Sequence, residues 1–252
     1  MLRPRLIPCL LLDGVKLVKT IRFARPAYVG DPINTLKIFN EKEVDELIVL
    51  DISVSKTGAK PNFELIAKIA SECFMPMCYG GGIRSVDDAQ RLINGGVEKI
   101  ALNSAAIDKP ELIAEVARRF GSSSVVVAID VRKAWLRGPR VWHSGRKRSS
   151  GMQAVAWARR AVEQGAGELL LNAVDRDGTL KGYDLDLIRE VTTAVSVPVI
   201  ACGGASDLAN CRAAIVDAGA SAAAAGALFV YKGPHRAVLI NYPTASQLQE
   251  LF

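Results

Sequence analysis

PMCYGGGIRSVDDAQRLINGGVEKIALNSA, residues 76–105, is matched later in the chain by PVIACGGASDLANCRAAIVDAGASAAAAGAL, residues 198–228. Each copy reads as a proline, a short apolar strand, a glycine pair, an amphipathic helix, a Gly-Gly or Ala-Gly stop and a second apolar strand. Pro76 and Pro198 lie 122 positions apart, as do Gly81 and Gly203, in a chain of 252 residues. A repeat of that period is half a molecule and not a solenoid unit. In each copy the glycines sit where a strand hands over to a helix. Free backbone N–H groups in such a turn can hold a phosphate. Two equivalent turns in one symmetric body point to a ligand with an anionic group at each end.

Outward from this pair, the same alternation covers the whole chain. Apolar strands are expected at 5–12, 46–52, 77–80, 99–103, 125–130, 168–172, 199–202 and 222–225. Helical spacing fills 32–43, 62–71, 86–94, 110–120, 151–164, 184–193 and 207–217. Several helices carry start signals: Asp31 before Pro32, Asp108 ahead of Pro110, and Ser85 with Asp88 three residues on. Eight strands alternating with helices predict an α/β fold, a single (β/α)8 barrel spanning 1–252 with two-fold half-barrel symmetry. A doubly wound open sheet is the competing architecture, and the half-chain repeat favours closure. Segments 13–30 and 131–150 are long for strand-to-helix loops and occupy equivalent places after strands one and five. Barrels keep ligand-binding parts in such loops.

Composition agrees. The chain is 50% hydrophobic but only 6% aromatic, so small aliphatic side chains do the packing, as in a parallel sheet buried on both faces. No apolar run is long enough to span a membrane. The N-terminal MLRPRLIPCLLLDG ends in Asp13-Gly14 without a cleavage site and reads as the first barrel strand. The five cysteines, Cys9, Cys73, Cys78, Cys202 and Cys211, lack CxxC spacing and read as reduced core thiols of a cytoplasmic protein. His143 and His235 lack ligand spacing, so no metal and no cofactor is expected. The net charge of +6 suits a solvated basic surface or attraction for an anionic small molecule. The one dense basic run, Arg146-Lys147-Arg148, comes without a nucleic-acid recognition motif.

In such a barrel the active face lies at the C-terminal ends of the strands. Asp130 ends the apolar run VVVAID, where partial desolvation raises a carboxyl pKa and suits it to proton transfer; a helix cap or a loop ion pair is the plainer alternative. Asp177-Gly178-Thr179 is a polar turn. Singly, each glycine pair is compatible with a tight turn and nothing more; together they suggest two phosphate sites. At the opposite end, Arg5, Glu46, Lys99 and Glu168 each sit near the start of a strand. They either close the barrel floor with ion pairs or gate an entrance to its interior.

These segments resemble one family. RLIPCL at the start, GDP at 30–32, DELIVLDI at 45–52, GGGI at 80–83, KIALNSAA at 99–106, VVVAID at 125–130, SG at 144–145, GAGELLL at 165–171, DRDGT at 175–179 and GGA at 203–205 are similar, in order and over about 1–230, to the cyclase subunit of imidazole glycerol phosphate synthase (HisF type). The resemblance implies a (β/α)8 barrel paired as a heterodimer with a glutaminase (HisH-like) subunit on its N-terminal face. Ammonia made there crosses the barrel and attacks a bis-phosphate substrate, a phosphoribulosyl-formimino aminoimidazole carboxamide ribotide. The products are imidazole glycerol phosphate and an aminoimidazole carboxamide ribotide, within histidine biosynthesis. It assigns one of two catalytic aspartates to Asp130. Phosphate contacts fall to Gly82, Asn103 and Ser104 in one half and to Asp177, Gly178, Gly203, Gly204 and Gly226 in the other. Lys19 takes the place of the lysine in the loop that closes over substrate, and Arg5, Glu46, Lys99 and Glu168 that of an ammonia gate.

The chain also departs from the family. The family has an aspartate after PCL; here Leu11 follows. The internal repeat gives the same result, since aligning 8–11 with 127–130 sets Leu11 opposite Asp130. A leucine transfers no proton, and loss of one positioned acid–base group costs about 10²–10⁴ in rate. Asp13, two residues on, would lie about 6–7 Å further along the strand. The family's serine in the last phosphate turn is Ala227, Trp135-Leu136-Arg137-Gly138-Pro139 is unusual, and the chain past 230 diverges. Two enzymatic readings follow: a cyclase subunit that tolerates Leu11, or a paralogue that channels ammonia for amidination of a sugar in surface-polysaccharide (lipopolysaccharide) synthesis. A non-enzymatic phosphate-binding barrel is the third.

Overall fold

A computed structural model describes residues 4–134 and 138–252, apart from the side chains of 55 and 56; Trp135, Leu136 and Arg137 lie outside the described residues. The strands of the main sheet are β1 (Arg5–Asp13), β2 (Lys16–Ile21), β3 (Ala24–Gly30), β4 (Leu47–Asp51), β5 (Met77–Gly80), β6 (Lys99–Leu102), β7 (Val125–Ala134), β8 (Gly138–His143), β9 (Arg148–Gln153), β10 (Glu168–Ala173), β11 (Val199–Cys202) and β12 (Ala222–Ala225). Eight of them pair in parallel as a ring, β1-β4-β5-β6-β7-β10-β11-β12, and β12 returns to β1. The sheet therefore has no open parallel edge, and the doubly wound alternative is excluded. The fold is a (β/α)8 barrel.

Alternation along the strands divides the core in two. One set of side chains faces the surrounding helices. The other points into the barrel and is thin: of its twelve buried members seven are alanine or cysteine, among them Cys9, Cys78, Ala101 and Ala224. Barrel interiors are ordinarily filled by branched aliphatics; here small side chains take more than half of these interior positions.

Six of the seven expected helices begin within one residue of the expected start. The helices are α1 (Pro32–Glu41), α2 (Ser53–Thr57), α3 (Phe63–Ser71), α4 (Val86–Asn94), α5 (Ser104–Asp108), α6 (Glu111–Phe120), α7 (Ala154–Glu163), α8 (Leu185–Thr192), α9 (Leu208–Arg212, continued by a π-helical turn at Ala213–Asp217), α10 (Ala227–Val230) and α11 (Ala245–Leu251). Ser85 accepts from the Asp88 N–H at 3.1 Å and Asp207 from the Asn210 N–H at 2.8 Å. These caps, like the glycine pairs, are 122 positions apart. Asp31 accepts from Asn34 at 2.9 Å ahead of Pro32. The expected cap at Asp108 is corrected: Asp108 ends α5 and makes no cap for α6.

Segments 13–30 and 131–150 are corrected as well. These long connections are built, among the described residues, mainly of antiparallel strands. β1 and β7 run past the barrel rim, then fold back through β2–β3 and β8–β9. Because β9 continues to Gln153, α7 starts at Ala154 and not at 151. The divergent tail ends in α11, which Thr244 and Gln247 open with a capping box, and Tyr242 donates to the Leu6 carbonyl at 2.8 Å. Among the described residues no helix is long and apolar enough to cross a membrane.

Candidate active site at the barrel rim

The two rim hairpins flank a cavity of about 490 Å³ at the C-terminal ends of the strands. Asp130 stands on its floor, 8% exposed. Asn103 and Ser144 donate to its Oδ2 at 2.9 and 2.6 Å, and Asn172 to its Oδ1 at 3.2 Å. The strand register puts Asn172 directly beside Asp130. Burial pushes the Asp130 carboxyl up to about 6; the three hydrogen bonds oppose that rise, and the negative Asp177 adds to it. The group is thus ionised at neutral pH yet close to its titration midpoint, as a proton carrier needs to be. Nδ2 of Asn172 is committed to Asp130, which leaves its buried Oδ1 without a partner. An unmatched acceptor beside a carboxylate suits a ligand N–H or O–H.

Across the ring, Leu11 lines the same cavity beside Cys9 and Leu50. β1 and β7 are the first and fifth staves of eight, so Leu11 and Asp130 face each other over the barrel axis. Asp13 pairs with Lys16 at the start of the hairpin and is outside the cavity lining. No carboxylate therefore replaces the one that Leu11 lacks on β1.

Of the sequence-predicted phosphate residues, Gly82, Asn103, Ser104, Asp177 and Gly226 line the cavity, as does Lys19. Lys19 and Asp177 are buried together as an ion pair, 2.8 and 3.1 Å from Nζ to the two oxygens. Gly226 is small for a reason: a Cβ there would lie 2.9 Å from the Cys9 carbonyl and 3.1 Å from the Lys19 stem. Gly178, Gly203 and Gly204 are not part of the lining. Gly178, at φ +69°, lies under the β2–β3 hairpin, where a Cβ would be 2.2 Å from the Thr20 carbonyl oxygen.

The bottom of the barrel carries a second cluster. Arg5 reaches both Glu46 and Glu168, and Lys99 does the same, at 2.9 and 3.1 Å to Glu46 and 2.9 Å to Glu168. Two cations and two carboxylates thus alternate as a closed ring. Burial works against the charge on Lys99 and on Arg5, but the two glutamates outweigh it and hold both pKa values above their ordinary levels. The sequence reading did not single out His143, Ser144 or Asp108 as site residues by chemistry, although all three line the cavity. The β8–β9 hairpin brings His143 and Ser144 there, against Asp108 at the end of α5.

A family model described as histidine biosynthesis protein matches residues 5–235. The chain belongs to this family. Within it, full-length relatives are imidazole glycerol phosphate synthase subunits of the HisF type. A protein of Pseudomonas aeruginosa provisionally named imidazole glycerol phosphate synthase subunit hisF2 is 50% identical over 98% of this chain and 99% of its own length. A Leptospira borgpetersenii protein, provisionally named subunit HisF, is 49% identical over the whole of both chains. The imidazole glycerol phosphate synthase subunit HisF of Frankia casuarinae is 44% identical over 89% of each. In this HisF-type barrel, then, Leu11 and Asp130 occupy mirrored rim positions of a family whose named members are synthase subunits.

Proposed function

We propose that this chain is the ammonia-using subunit of a glutamine amidotransferase pair of the imidazole glycerol phosphate synthase type. One observation carries the reading: the charged ring, the thin apolar interior and Asp130 lie in sequence along a single axis. A HisH-like glutaminase subunit would occupy the N-terminal face as the partner in a heterodimer. Ammonia enters between Arg5, Glu46, Lys99 and Glu168, crosses the alanine- and cysteine-lined interior and arrives beside Asp130 and the free Asn172 oxygen. Ammonia adds to a carbonyl carbon of the acceptor there, and Asp130 relays the protons that nitrogen loses to the carbonyl oxygen, which departs as water. Gly82, Asn103 and Ser104 hold one phosphate of the acceptor. Gly178, Gly203, Gly204 and Gly226, with Asp177 and Lys19, serve the other once the β2–β3 hairpin lifts.

In the full family reaction the acceptor is the phosphoribulosyl-formimino ribotide, and the products are imidazole glycerol phosphate and the aminoimidazole carboxamide ribotide. Leu11 favours a second reading. Ring closure with cleavage asks for an acid and a base, and only one of the two facing rim positions titrates. The paralogue function, delivery of ammonia for amidination of a sugar in surface-polysaccharide synthesis, needs the passage and not the pair. The discriminating experiment is complementation of a histidine auxotroph lacking its cyclase subunit, with the matching glutaminase co-expressed. Failure to restore growth is the result expected of the paralogue; growth without added histidine establishes the cyclase.

A further inference from the structure

Beside Asp130 lies a second, smaller network that the reading above does not use. His143 ends β8 and is 4% exposed. Its Nδ1 accepts the Arg146 backbone N–H at 3.0 Å. The hydrogen therefore sits on Nε2, which faces Asp108 of α5 at 3.2 Å. Arg146 closes the triangle by binding Asp108 through Nη2 at 2.6 Å. A histidine that accepts the N–H three residues on ties down the turn 143–146 from within. That turn carries two contacts to the site: Ser144 Oγ donates to Asp130 at 2.6 Å, and the Gly145 N–H donates to Ser104 Oγ at 3.1 Å.

We propose that His143 is a positioning residue, which locks the 143–146 turn so that Ser144 stays bonded to Asp130 and Gly145 stays bonded to Ser104. It touches no reacting atom. It acts through the turn on the proton affinity of Asp130 in one direction and on the Ser104 hydroxyl in the other. The charged groups around it are Asp108 from α5 and Arg146 from the turn; Asp177, itself paired with Lys19, also acts on Asp130. Fusing these contacts in one turn explains why an ordinary-looking strand end holds a buried histidine. The inference needs only the carboxyl network, so it stands apart from the identity of the acceptor and from the ammonia route.

The test is the titration of Asp130 in the intact chain, followed by the carboxyl carbon shift of ¹³C-labelled aspartate and assigned with Asp130→Asn. Ser144→Ala removes one donor directly, and the Asp130 midpoint should rise by about one pH unit, a tenfold tighter proton. His143→Leu should raise it to a similar extent, and the two changes together should add little more, because both act through one bond. His143→Asn places an oxygen where Nδ1 was and should restore most of the wild-type midpoint, whereas His143→Gln, which keeps only the reach to Asp108, should not. If Ser144→Ala moves the midpoint while His143→Leu and His143→Gln leave it in place, the proposal is wrong. Should the leucine variant fail to fold, the Asn and Gln variants decide the matter: equal midpoints for both overturn it.

Discussion

Leu11 and Asp130 are mirrored positions with opposite chemistry. Both are strand-end residues facing one cavity across the axis, and only one of them can exchange a proton. Leu11→Asp restores a facing carboxylate at the mirrored position. In an assay with the phosphoribulosyl-formimino substrate and added ammonium, it should raise turnover by about two orders of magnitude. No change in rate would mean that the missing acid is not what limits cyclisation. Asp130 also leaves a mark on stability. Its carboxyl titrates at about 6 in the fold against about 3.9 when unfolded, so between those values the folded chain binds the extra proton. Its contribution to stability is therefore greatest at low pH and declines as pH rises from 4 to 6, by up to roughly 3 kcal/mol. The difference in unfolding free energy between wild type and Asp130→Leu, measured from pH 4 to 8, should trace that decline; a flat difference would contradict the burial effect. Asp130 was legible in the sequence because a carboxylate ends an uninterrupted apolar run. His143 and Asp108 were not. Their meeting depends on how a hairpin folds back over α5, which no local pattern encodes.

At the scale of the element, strand and helix positions were readable from alternation and caps, and the two hairpins were not. The β2–β3 turn explains why. Arg22 and Phe23 adopt left-handed backbone at φ +53° and +64°, where a sequence reading looks for Asn-Gly. Nothing in KLVKTIRFARPAYVG announces the reversal. The hairpin is held down from the far half of the barrel: Arg22 N–H donates to the Asp177 carbonyl at 2.9 Å, and its side chain to that of Asp175 at 3.0 Å. Gly178 permits the close approach. Gly178→Ala introduces both a left-handed strain and a 2.2 Å clash with the Thr20 carbonyl, so the hairpin should separate from the DRDGT turn. We expect a loss of about 1–3 kcal/mol and faster proteolysis within 14–30, read by limited digestion. Protection equal to wild type would show that the hairpin is anchored elsewhere.

On the scale of the whole molecule, charge and symmetry act together. Residues 13–30 and 131–153 contain eleven lysines and arginines and one acidic residue. Their surplus exceeds the +6 of the entire chain, so the remainder of the protein is net acidic. A basic rim above a cavity raises the local concentration of phosphorylated ligands. The half-chain repeat made this architecture readable before any coordinates, because two equal halves complete a ring. The closed bottom ring was readable only as four charges near strand starts; their alternation depends on the barrel's closure. The central claim is that nitrogen reaches Asp130 from below, through the interior. Ala224 is fully buried there, and Ala224→Leu puts a larger side chain into the proposed passage while leaving Asp130, Asn103 and Asn172 unchanged. The decisive measurement compares product formation by the reconstituted glutaminase pair, driven by glutamine and by added ammonium, for wild type and for this variant in folded form. The account predicts that the glutamine-driven rate falls at least tenfold while the ammonium-driven rate persists. Equal rates from both nitrogen sources in the variant and the wild type would contradict it.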